Sequence, residues 1–156
     1  MHMKLALILL PAMLFCAESI PWDQSKTFHS DYEWRAILGH ERFCIMRRKA
    51  TEKPYSGKYL YSTDEGVYRC AACDLALFSS VSKYDGNTGW PCFHEPIIQK
   101  NIWIKEDLSL PFRRYEVLCR SCDSHLGHVF RDSTDHLRYT INSIALEFQK
   151  ISTSRQ

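Results

Sequence analysis

The spacing of apolar and polar residues divides the chain into a helical segment and a longer region of short strands. Ser30 and Glu33 stand at capping-box spacing, and an apolar stripe that includes Trp34 and Leu38 ends at Gly39. After a turn at residues 54–57, short apolar runs separated by Gly, Asp and Asn predict strands near residues 67–69, 77–78, 97–105, 114–118, 129–130 and 137–148. The pattern predicts a mainly β fold of antiparallel, barrel-like sheets with a short helical segment at the amino terminus.

The last predicted strand changes its polarity along its length. In residues 137–142 successive side chains point to opposite faces, and one face carries Arg138, Thr140 and Asn142. After Ser143 the apolar residues take the opposite parity, which predicts a bulge or a strand that passes from a cleft into the core. The polar trio is a candidate active-site wall. The alternative, which the segment alone leaves open, is the solvent face of an edge strand.

The amino terminus indicates where the protein is located. One lysine precedes an almost wholly apolar run at residues 5–15, which is too short to span a bilayer. Residues 17–19, Ala-Glu-Ser, offer a cleavage pattern of two small residues around a larger one. We therefore expect a signal peptide at residues 1–19 and export to the periplasm or the exterior, with an uncleaved anchor as the alternative. The rest divides into a helical segment at residues 20–50 and a domain at residues 51–150.

Length and charge narrow the classes of function. A chain of 156 residues is long enough for one domain with a sizeable core. The 20 Lys and Arg residues against 18 Asp and Glu residues give a net charge of only +2. The basic residues are scattered apart from residues 47–49, Arg-Arg-Lys, which we interpret as a solvated helix end. We therefore expect a monomer with no nucleic-acid partner.

Four of the seven cysteines form two Cys-x-x-Cys pairs: Cys70 with Cys73, and Cys119 with Cys122. Each pair is followed by a turn-forming aspartate, Asp74 or Asp123. Two such pairs supply the four sulfur ligands of a closed structural zinc site, and we expect zinc to join two ends of a sheet. A pair of disulfides is the alternative. Because Cys16 lies in the predicted signal peptide, only Cys44 and Cys92 remain for thiol chemistry.

Five motifs follow one another along the chain: Cys-Ala-Ala-Cys at 70–73, Gly-Trp-Pro-Cys-Phe at 89–93, Cys-Arg-Ser-Cys at 119–122, His-Leu-Gly-His-Val-Phe at 125–130 and Arg-Tyr-Thr-Ile-Asn-Ser at 138–143. In this order they resemble the methionine-R-sulfoxide reductase (methionine sulfoxide reductase B) family over residues 51–148. The run at residues 53–59, Lys-Pro-Tyr-Ser-Gly-Lys-Tyr, is similar to that family's opening segment. The resemblance implies a zinc-containing β-tent and a peptide-methionine (R)-S-oxide reductase, an enzyme that repairs oxidised methionine in peptides or proteins under oxidative stress.

The chemistry of that reaction explains the residue types. A thiolate attacks the sulfoxide sulfur, and an acid protonates the departing oxygen. The attacking cysteine becomes a sulfenic acid, which a second thiol converts to a disulfide that a thioredoxin-like protein reduces. The resemblance assigns roles to six residues: His128 and His125 beside the oxygen, Arg138 and Asn142 around the nucleophile, and Trp90 and Phe130 around the substrate.

The sequence departs from the family pattern at the nucleophile. Thr140 stands where the family has its attacking cysteine, and a threonine hydroxyl cannot form the disulfide that the cycle needs. Thr88 occupies a position where some relatives carry a resolving cysteine, whereas Cys92 stands where the family more often has serine. The segment between residues 130 and 137 lacks the family's Gly-Pro-x-Pro-Thr-Gly loop.

Three interpretations of this departure remain open. In the first, the nucleophile is Cys92, and either Cys44 or an external thiol resolves its sulfenic acid. In the second, the protein is a catalytically inactive zinc β-tent module that binds methionine sulfoxide or another small ligand. In the third, Cys44 and Cys92 form a structural disulfide after export.

Overall fold

The amino-terminal helix begins at the cap that its sequence predicts. The computed structural model describes residues 26–132 and 135–151, so the predicted signal peptide and Cys16 lie outside the described residues. Helix α1 spans Asp31–Arg48, and its Ser30–Glu33 capping box is complete. Gly39, with φ 72°, introduces a kink because it adopts a left-handed conformation that other residues rarely take. The capping box is therefore confirmed, and Gly39 interrupts a helix that resumes and ends at Arg48.

The basic end of α1 is not simply solvated, which corrects the expectation for residues 47–49. Arg47 donates to the carbonyl of Cys122 at 2.8 Å and lies 4.9 Å from the centroid of the buried Trp34 ring. Lys49 donates to the carboxylate of Glu116 at 2.7 Å. These two cationic side chains donate hydrogen bonds to a carbonyl and a carboxylate of the strand region. They therefore fix the end of α1 to the β domain.

Nine strands follow the helix and form two antiparallel sheets. The strands are β1 Gly66–Cys70, β2 Ala76–Ser79, β3 Lys83–Tyr84, β4 Cys92–Phe93, β5 Ile102–Asp107, β6 Arg114–Cys119, β7 His125–Arg131, β8 Leu137–Ile141 and β9 Leu146–Lys150. The smaller sheet has the order β2-β1-β9, and the larger has the order β3-β4-β8-β7-β6-β5. The predicted mainly β, antiparallel fold class is confirmed.

Buried aromatic side chains fill the space between the two sheets. Phe78 of β2 stacks on Phe93 of β4 with ring centroids 4.5 Å apart, and Tyr68 of β1 meets the same ring at 5.2 Å. All three rings are fully buried. Aromatic pairs at these distances add to the stabilisation from apolar burial, so the core itself holds the sheets together.

Three of the predicted strands differ from the structure by more than one residue at an end. The strand expected at residues 129–130 is the longer β7, His125–Arg131. The strand expected over residues 97–105 begins only at Ile102, because Gln99–Asn101 form a 3₁₀ turn. The strand expected over residues 137–148 is two strands, β8 and β9, separated by a 3₁₀ turn at Ser143–Ala145. Because β8 and β9 lie in different sheets, the change of apolar parity near Ser143 marks the passage from one sheet to the other. Among residues 26–132 and 135–151, no helix is long and apolar enough to cross a membrane.

Candidate active site and metal centre

The four cysteines of the two Cys-x-x-Cys pairs meet in one cluster. The sulfurs of Cys70 and Cys122 are 3.7 Å apart, those of Cys73 and Cys119 are 3.5 Å apart, and all four lie within 4.8 Å of one another. Zinc–sulfur bonds of about 2.3 Å in a tetrahedron require sulfur separations of about 3.8 Å. The cluster therefore fits a tetrahedral metal ion with four thiolate ligands.

The two halves of this cluster have the same backbone geometry. Asp74 and Asp123 both adopt left-handed conformations, with φ of 63° and 54°. Their amides donate to the carbonyls of Cys70 at 2.8 Å and Cys119 at 3.0 Å, so each pair closes into the same tight turn. Cys70 ends β1 of the smaller sheet, and Cys119 ends β6 of the larger one. A bound metal would thus join two sheets, which corrects the expectation that it joins two ends of one sheet.

A pocket of about 260 Å³ opens on the larger sheet, away from the cysteine cluster. It is lined by Thr51, Thr88, Trp90, Arg114, Gly127, His128, Phe130, Arg138, Thr140 and Asn142. The polar face of β8 proposed as an active-site wall, Arg138 with Thr140 and Asn142, lies on this lining. Of the residues singled out from the sequence, Trp90, Phe130 and His128 line it as well.

The register of the sheet places the remaining candidate thiol next to this pocket. Thr140 of β8 is the direct cross-strand partner of Cys92 on β4 and of His128 on β7. His128 is in turn the partner of Glu116 on β6. Directly opposed residues point to the same face of a sheet, so these four side chains form one row across four strands.

Cys92 lies directly behind the pocket wall and not on it. Its sulfur is 3.2 Å from the hydroxyl of Thr88 and 3.8 Å from that of Thr140, and the residue is fully buried. Gly86 covers it closely, since a Cβ at that position would come within 2.5 Å of the sulfur. Cys44 lies elsewhere, on α1, with its sulfur 3.8 Å from His40 Nε2. Both thiols are free, so the structural disulfide proposed between them is not present.

A β-bulge brings the two histidines of β7 onto the same face. Residues three apart on a regular strand point to opposite faces. Here Val117 pairs with Gly127 and Leu118 pairs with His125, so β7 carries one extra residue, Leu126. The rings of His125 and His128 therefore meet edge to face, with centroids 5.4 Å apart. His128 lines the pocket, whereas His125 is only 2% exposed and lies behind it.

The carboxylate of Asp107, at the end of β5, contacts His128. His128 Nε2 is 2.8 Å from Asp107 Oδ2, which also accepts from Arg114 at 2.7 Å. Hydrogen bonds from Ser109 and then from His128 hold the pKa of Asp107 well below its ordinary range. Burial lowers the pKa of His128, so the imidazole is neutral near pH 7.

The second histidine has a partner of the same kind. His125 Nδ1 is 2.8 Å from Oε1 of Glu116, and the second carboxylate oxygen of Glu116, Oε2, accepts a hydrogen bond from Lys49. Burial alone would raise the pKa of Glu116, but the hydrogen bonds from His125 and Lys49 outweigh burial and lower it. The residue therefore carries a buried negative charge with two partners.

Glu52, at the start of the β domain, connects opposite sides of the pocket. Its carbonyl accepts from Trp90 Nε1 at 3.0 Å, and its amide donates to Asn142 Oδ1 at 3.0 Å. Its carboxylate accepts from the amides of Ser143 at 2.7 Å and Ile144 at 3.2 Å. Burial raises the pKa of Glu52 in spite of these two amides. Asn142 thus has a partner within the fold for both amide atoms, because its Nδ2 donates to the carbonyl of Leu126.

An arginine and an aromatic ring form the far side of the pocket. The Arg138 guanidinium lies 5.6 Å from the ring centroid of Phe130, and Phe130 lies 6.3 Å from the ring of His128. Arg138 Nε is buried with no hydrogen-bond partner among the described residues. The Arg138 guanidinium can therefore donate a hydrogen bond to an acceptor held in the pocket.

Sequence reasoning missed the residues that support the histidines and the pocket: Lys49, Glu52, Asp107, Arg114 and Glu116. No sequence signal marks Glu116 as buried, because the apolar Tyr115 and Val117 flank it and it shares strand parity with Arg114. No spacing or local pattern distinguishes Asp107 or Glu52, whose partners are distant in sequence.

Comparison with known proteins adds a family and named relatives. Residues 38–150 match the SelR domain family. The chain is 43% identical over 129 residues to the peptide methionine sulfoxide reductase MsrB of Methanosarcina mazei, a match that covers 81% of this chain and 92% of the relative. It is 44% identical over 126 residues to the protein of the same name from Chromohalobacter salexigens, covering 79% and 95%. With that of Pseudomonas entomophila it shares 46% identity over 119 residues, covering 75% and 91%.

Proposed function

Because the chain belongs to the SelR-domain family of methionine-R-sulfoxide reductases, we propose that it reduces methionine (R)-sulfoxide in peptides and proteins with Cys92 as the nucleophile. The observation that carries this proposal is the register of β4 against β8. Cys92 is the cross-strand partner of Thr140, the residue in the family's nucleophile position, and its sulfur lies 3.8 Å from the Thr140 hydroxyl. A thiol has thus moved to the adjacent strand on the same face of the sheet.

The proposed first step exchanges one sulfur–oxygen bond for another. Neutral His128 takes up the proton of the Cys92 thiol, and the resulting thiolate attacks the sulfoxide sulfur. The protonated His128 then returns that proton to the sulfoxide oxygen as the oxygen is transferred to the cysteine. The products are a thioether, which is methionine, and a sulfenic acid on Cys92. Two reductant thiols then return Cys92 to a thiol, yielding one disulfide and one water molecule.

Substrate access requires the threonine side chains of the wall to rotate. The hydroxyls of Thr88 and Thr140 lie between the Cys92 sulfur and the pocket, at 3.2 and 3.8 Å from the sulfur. Each hydroxyl rotates about a single side-chain bond, and each can donate a hydrogen bond to a thiolate. In this arrangement the two threonines stabilise the attacking group and admit the substrate sulfur when they turn aside.

The reductant in this proposal comes from outside the chain. Cys44 is on α1 beside His40, and the other four described cysteines form the cluster that fits a metal. A thioredoxin-like dithiol therefore serves as the resolving partner. We further propose structural zinc as the metal, because zinc prefers four thiolates in a closed tetrahedron. About one equivalent of zinc per chain, bound at this cluster, is the expected result of metal analysis.

The experiment that tests the proposed nucleophile uses the wild type, Cys92→Ser and Thr140→Cys. Each is assayed on the R and S epimers of a methionine-sulfoxide peptide with dithiothreitol as reductant. The wild type should reduce the R epimer, and Cys92→Ser should lose at least about 100-fold in kcat because the thiolate is absent. Cys44→Ser is the matched control, since it removes the other free thiol and should leave the rate unchanged.

Two outcomes would contradict the role of Cys92. Equal rates for the wild type and Cys92→Ser would exclude it as the nucleophile. Activity in Thr140→Cys alone would mean that the pocket is that of a reductase whose nucleophile has been lost. If none of the three proteins reduces either epimer, the reductase function itself is wrong.

A further inference from the structure

The two histidines beside the pocket are held through different ring nitrogens. His125 faces Glu116 with Nδ1, at 2.8 Å, whereas His128 faces Asp107 with Nε2, also at 2.8 Å. Each carboxylate has a cation as its second partner, Lys49 for Glu116 and Arg114 for Asp107. Each histidine thus has a carboxylate with a cation behind it, but the two imidazole rings present different nitrogens to their carboxylates.

This reversal determines where each neutral ring carries its proton. Contacts with neighbouring donors lower the pKa of both carboxyl groups, so both are ionised near neutral pH. An ionised carboxylate only accepts hydrogen bonds, so the nitrogen that faces it must be protonated. The neutral form of His125 therefore carries its proton on Nδ1, and that of His128 carries its proton on Nε2.

We propose that Glu116, anchored by Lys49, is a positioning residue that fixes His125 in the Nδ1–H tautomer and keeps its Nε2 lone pair free beside His128. His125 Nε2 is buried and has no hydrogen-bond partner among the described residues. An unpaired buried nitrogen is unfavourable by about 1–3 kcal/mol. The unpaired acceptor therefore calls for an explanation, and a proton-accepting role next to the pocket supplies one.

The consequence for catalysis depends on the proposed reductase function. Reduction of a sulfoxide consumes a proton at the departing oxygen, and His128 is the histidine that lines the pocket. His125 is in ring contact with His128 and has an ionised carboxylate behind it. Lys49 links this buried pair to the surface, since its side chain is 65% exposed while that of Glu116 is 4% exposed. The row Lys49–Glu116–His125 therefore keeps a hydrogen-bond acceptor, His125 Nε2, beside the ring of His128, where it stabilises His128 while that ring carries the proton of the reaction.

The test reads the tautomers directly. The full-length, zinc-loaded protein is labelled with ¹⁵N-histidine, and the ring nitrogens are observed by long-range ¹H–¹⁵N spectra at pH 8, with assignment by single histidine replacements. The wild type should show His125 protonated at Nδ1 and His128 at Nε2. In Glu116→Gln, His125 should populate both tautomers because a glutamine amide can accept or donate. His128 should stay unchanged.

Glu106→Gln is the matched control, because Glu106 lies on the adjacent strand β5 and pairs with Arg113 at the surface. It should alter neither histidine. The kinetic counterpart is a kcat for Glu116→Gln that is lower by about 10–100-fold with KM changed by less than about twofold, since the substrate-lining residues are untouched. A purely structural role would instead change stability and zinc content together with the rate.

A wild-type His125 protonated at Nε2, or a His125 tautomer that does not respond to Glu116→Gln, would overturn the proposal. If Glu116→Gln does not fold, the tautomers of the wild type alone decide between the two results. If the protein turns over no sulfoxide, the spectra still decide the role of Glu116, so failure of the reductase function is recognised separately.

Discussion

The cysteine cluster and the pocket are built in opposite ways. Each half of the cluster is a four-residue motif that closes its own turn, and Asp74 and Asp123 repeat the same left-handed conformation. The pocket draws its lining from residues 51 to 142, on three strands and three connecting segments. The cluster has all four thiols that a metal needs, whereas the pocket has Thr140 where the resemblance implies a nucleophilic cysteine.

The difference bears on the proposed relocation of the nucleophile from position 140 to Cys92. A metal cage depends on local spacing, so replacing one ligand removes the site. A pocket on a sheet depends on which side chains share a face. Cys92 and Thr140 are opposed across two strands, so a thiol can change strand and remain within 3.8 Å of the same place.

The largest expected effect comes from removing one thiol of the cluster. Cys119→Ser replaces a fully buried ligand and leaves three thiolates, which cannot complete the tetrahedron. Loss of the metal separates the two sheets at this point, and we expect the free energy of unfolding to fall by more than about 4 kcal/mol. The melting temperature should fall by roughly 15 °C. Zinc content and thermal unfolding, measured on the same sample, provide the check.

Cys92→Ser is the matched control for that comparison, because it changes the other fully buried cysteine on the large sheet. It should keep its full metal content while losing the reductase activity. A Cys119→Ser protein that still binds one equivalent of metal with unchanged stability would show that the cluster is not the structural site.

The cluster could be predicted from the sequence and the pocket only in part, for the same physical reason. The cysteine spacing and the aspartates after it are local, and the alternating polar face of β8 is local as well, so both were predicted. Cross-strand register is not local. Strands β3 and β4 are only two residues long and carry no periodic signal, so the sequence did not place Cys92 opposite Thr140.

The same limit applies to the histidines and to the sheet arrangement. The bulge at Leu126 that brings His125 beside His128 is visible only in the pairing with β6. The change of parity near Ser143 was visible, but which sheet each half would join was not. Glu52 reaches Ser143 and Ile144 over about ninety residues, a contact that no sequence window contains.

An intermediate effect is expected from Gly127→Ala, which disturbs the pocket and not the cluster. A Cβ at Gly127 would lie 2.2 Å from the carbonyl oxygen of Thr140, so β7 and β8 would have to separate beside the pocket. Forced overpacking of this kind destabilises by about 1–3 kcal/mol. We expect a loss of about 2 kcal/mol in urea unfolding, with zinc content unchanged and activity strongly reduced.

Gly39→Ala sharpens this result, because Gly39 has nothing within 4 Å of an added Cβ but has a left-handed φ of 72°. Its expected penalty of about 1–3 kcal/mol comes from the backbone conformation alone, since φ 72° with ψ 173° is adopted almost only by glycine, and it should leave activity intact. Loss of zinc in Gly127→Ala would mean that the two regions are mechanically coupled, contrary to the comparison.

The smallest effect is a pH dependence that the pocket should show through Asp107. Its pKa is held well below the ordinary value by contacts with Ser109 and His128, so in the native state it stays ionised at pH values where the unfolded chain takes up a proton. Its contribution to stability is therefore present above about pH 4 and is lost as the pH falls further.

The variant Asp107→Asn removes this contribution. We expect the free energy of unfolding of the wild type to exceed that of the variant by about 1 kcal/mol at pH 7. This difference should shrink toward zero as the pH falls below 4. Asp64→Asn, which breaks an exposed pair with Lys150, is the control and should differ little from the wild type at any pH. Urea unfolding of all three proteins from pH 7 to pH 3 gives the free energies of unfolding. If the difference between the wild type and Asp107→Asn grows as the pH falls, the contacts of this carboxylate do not hold it in its charged form.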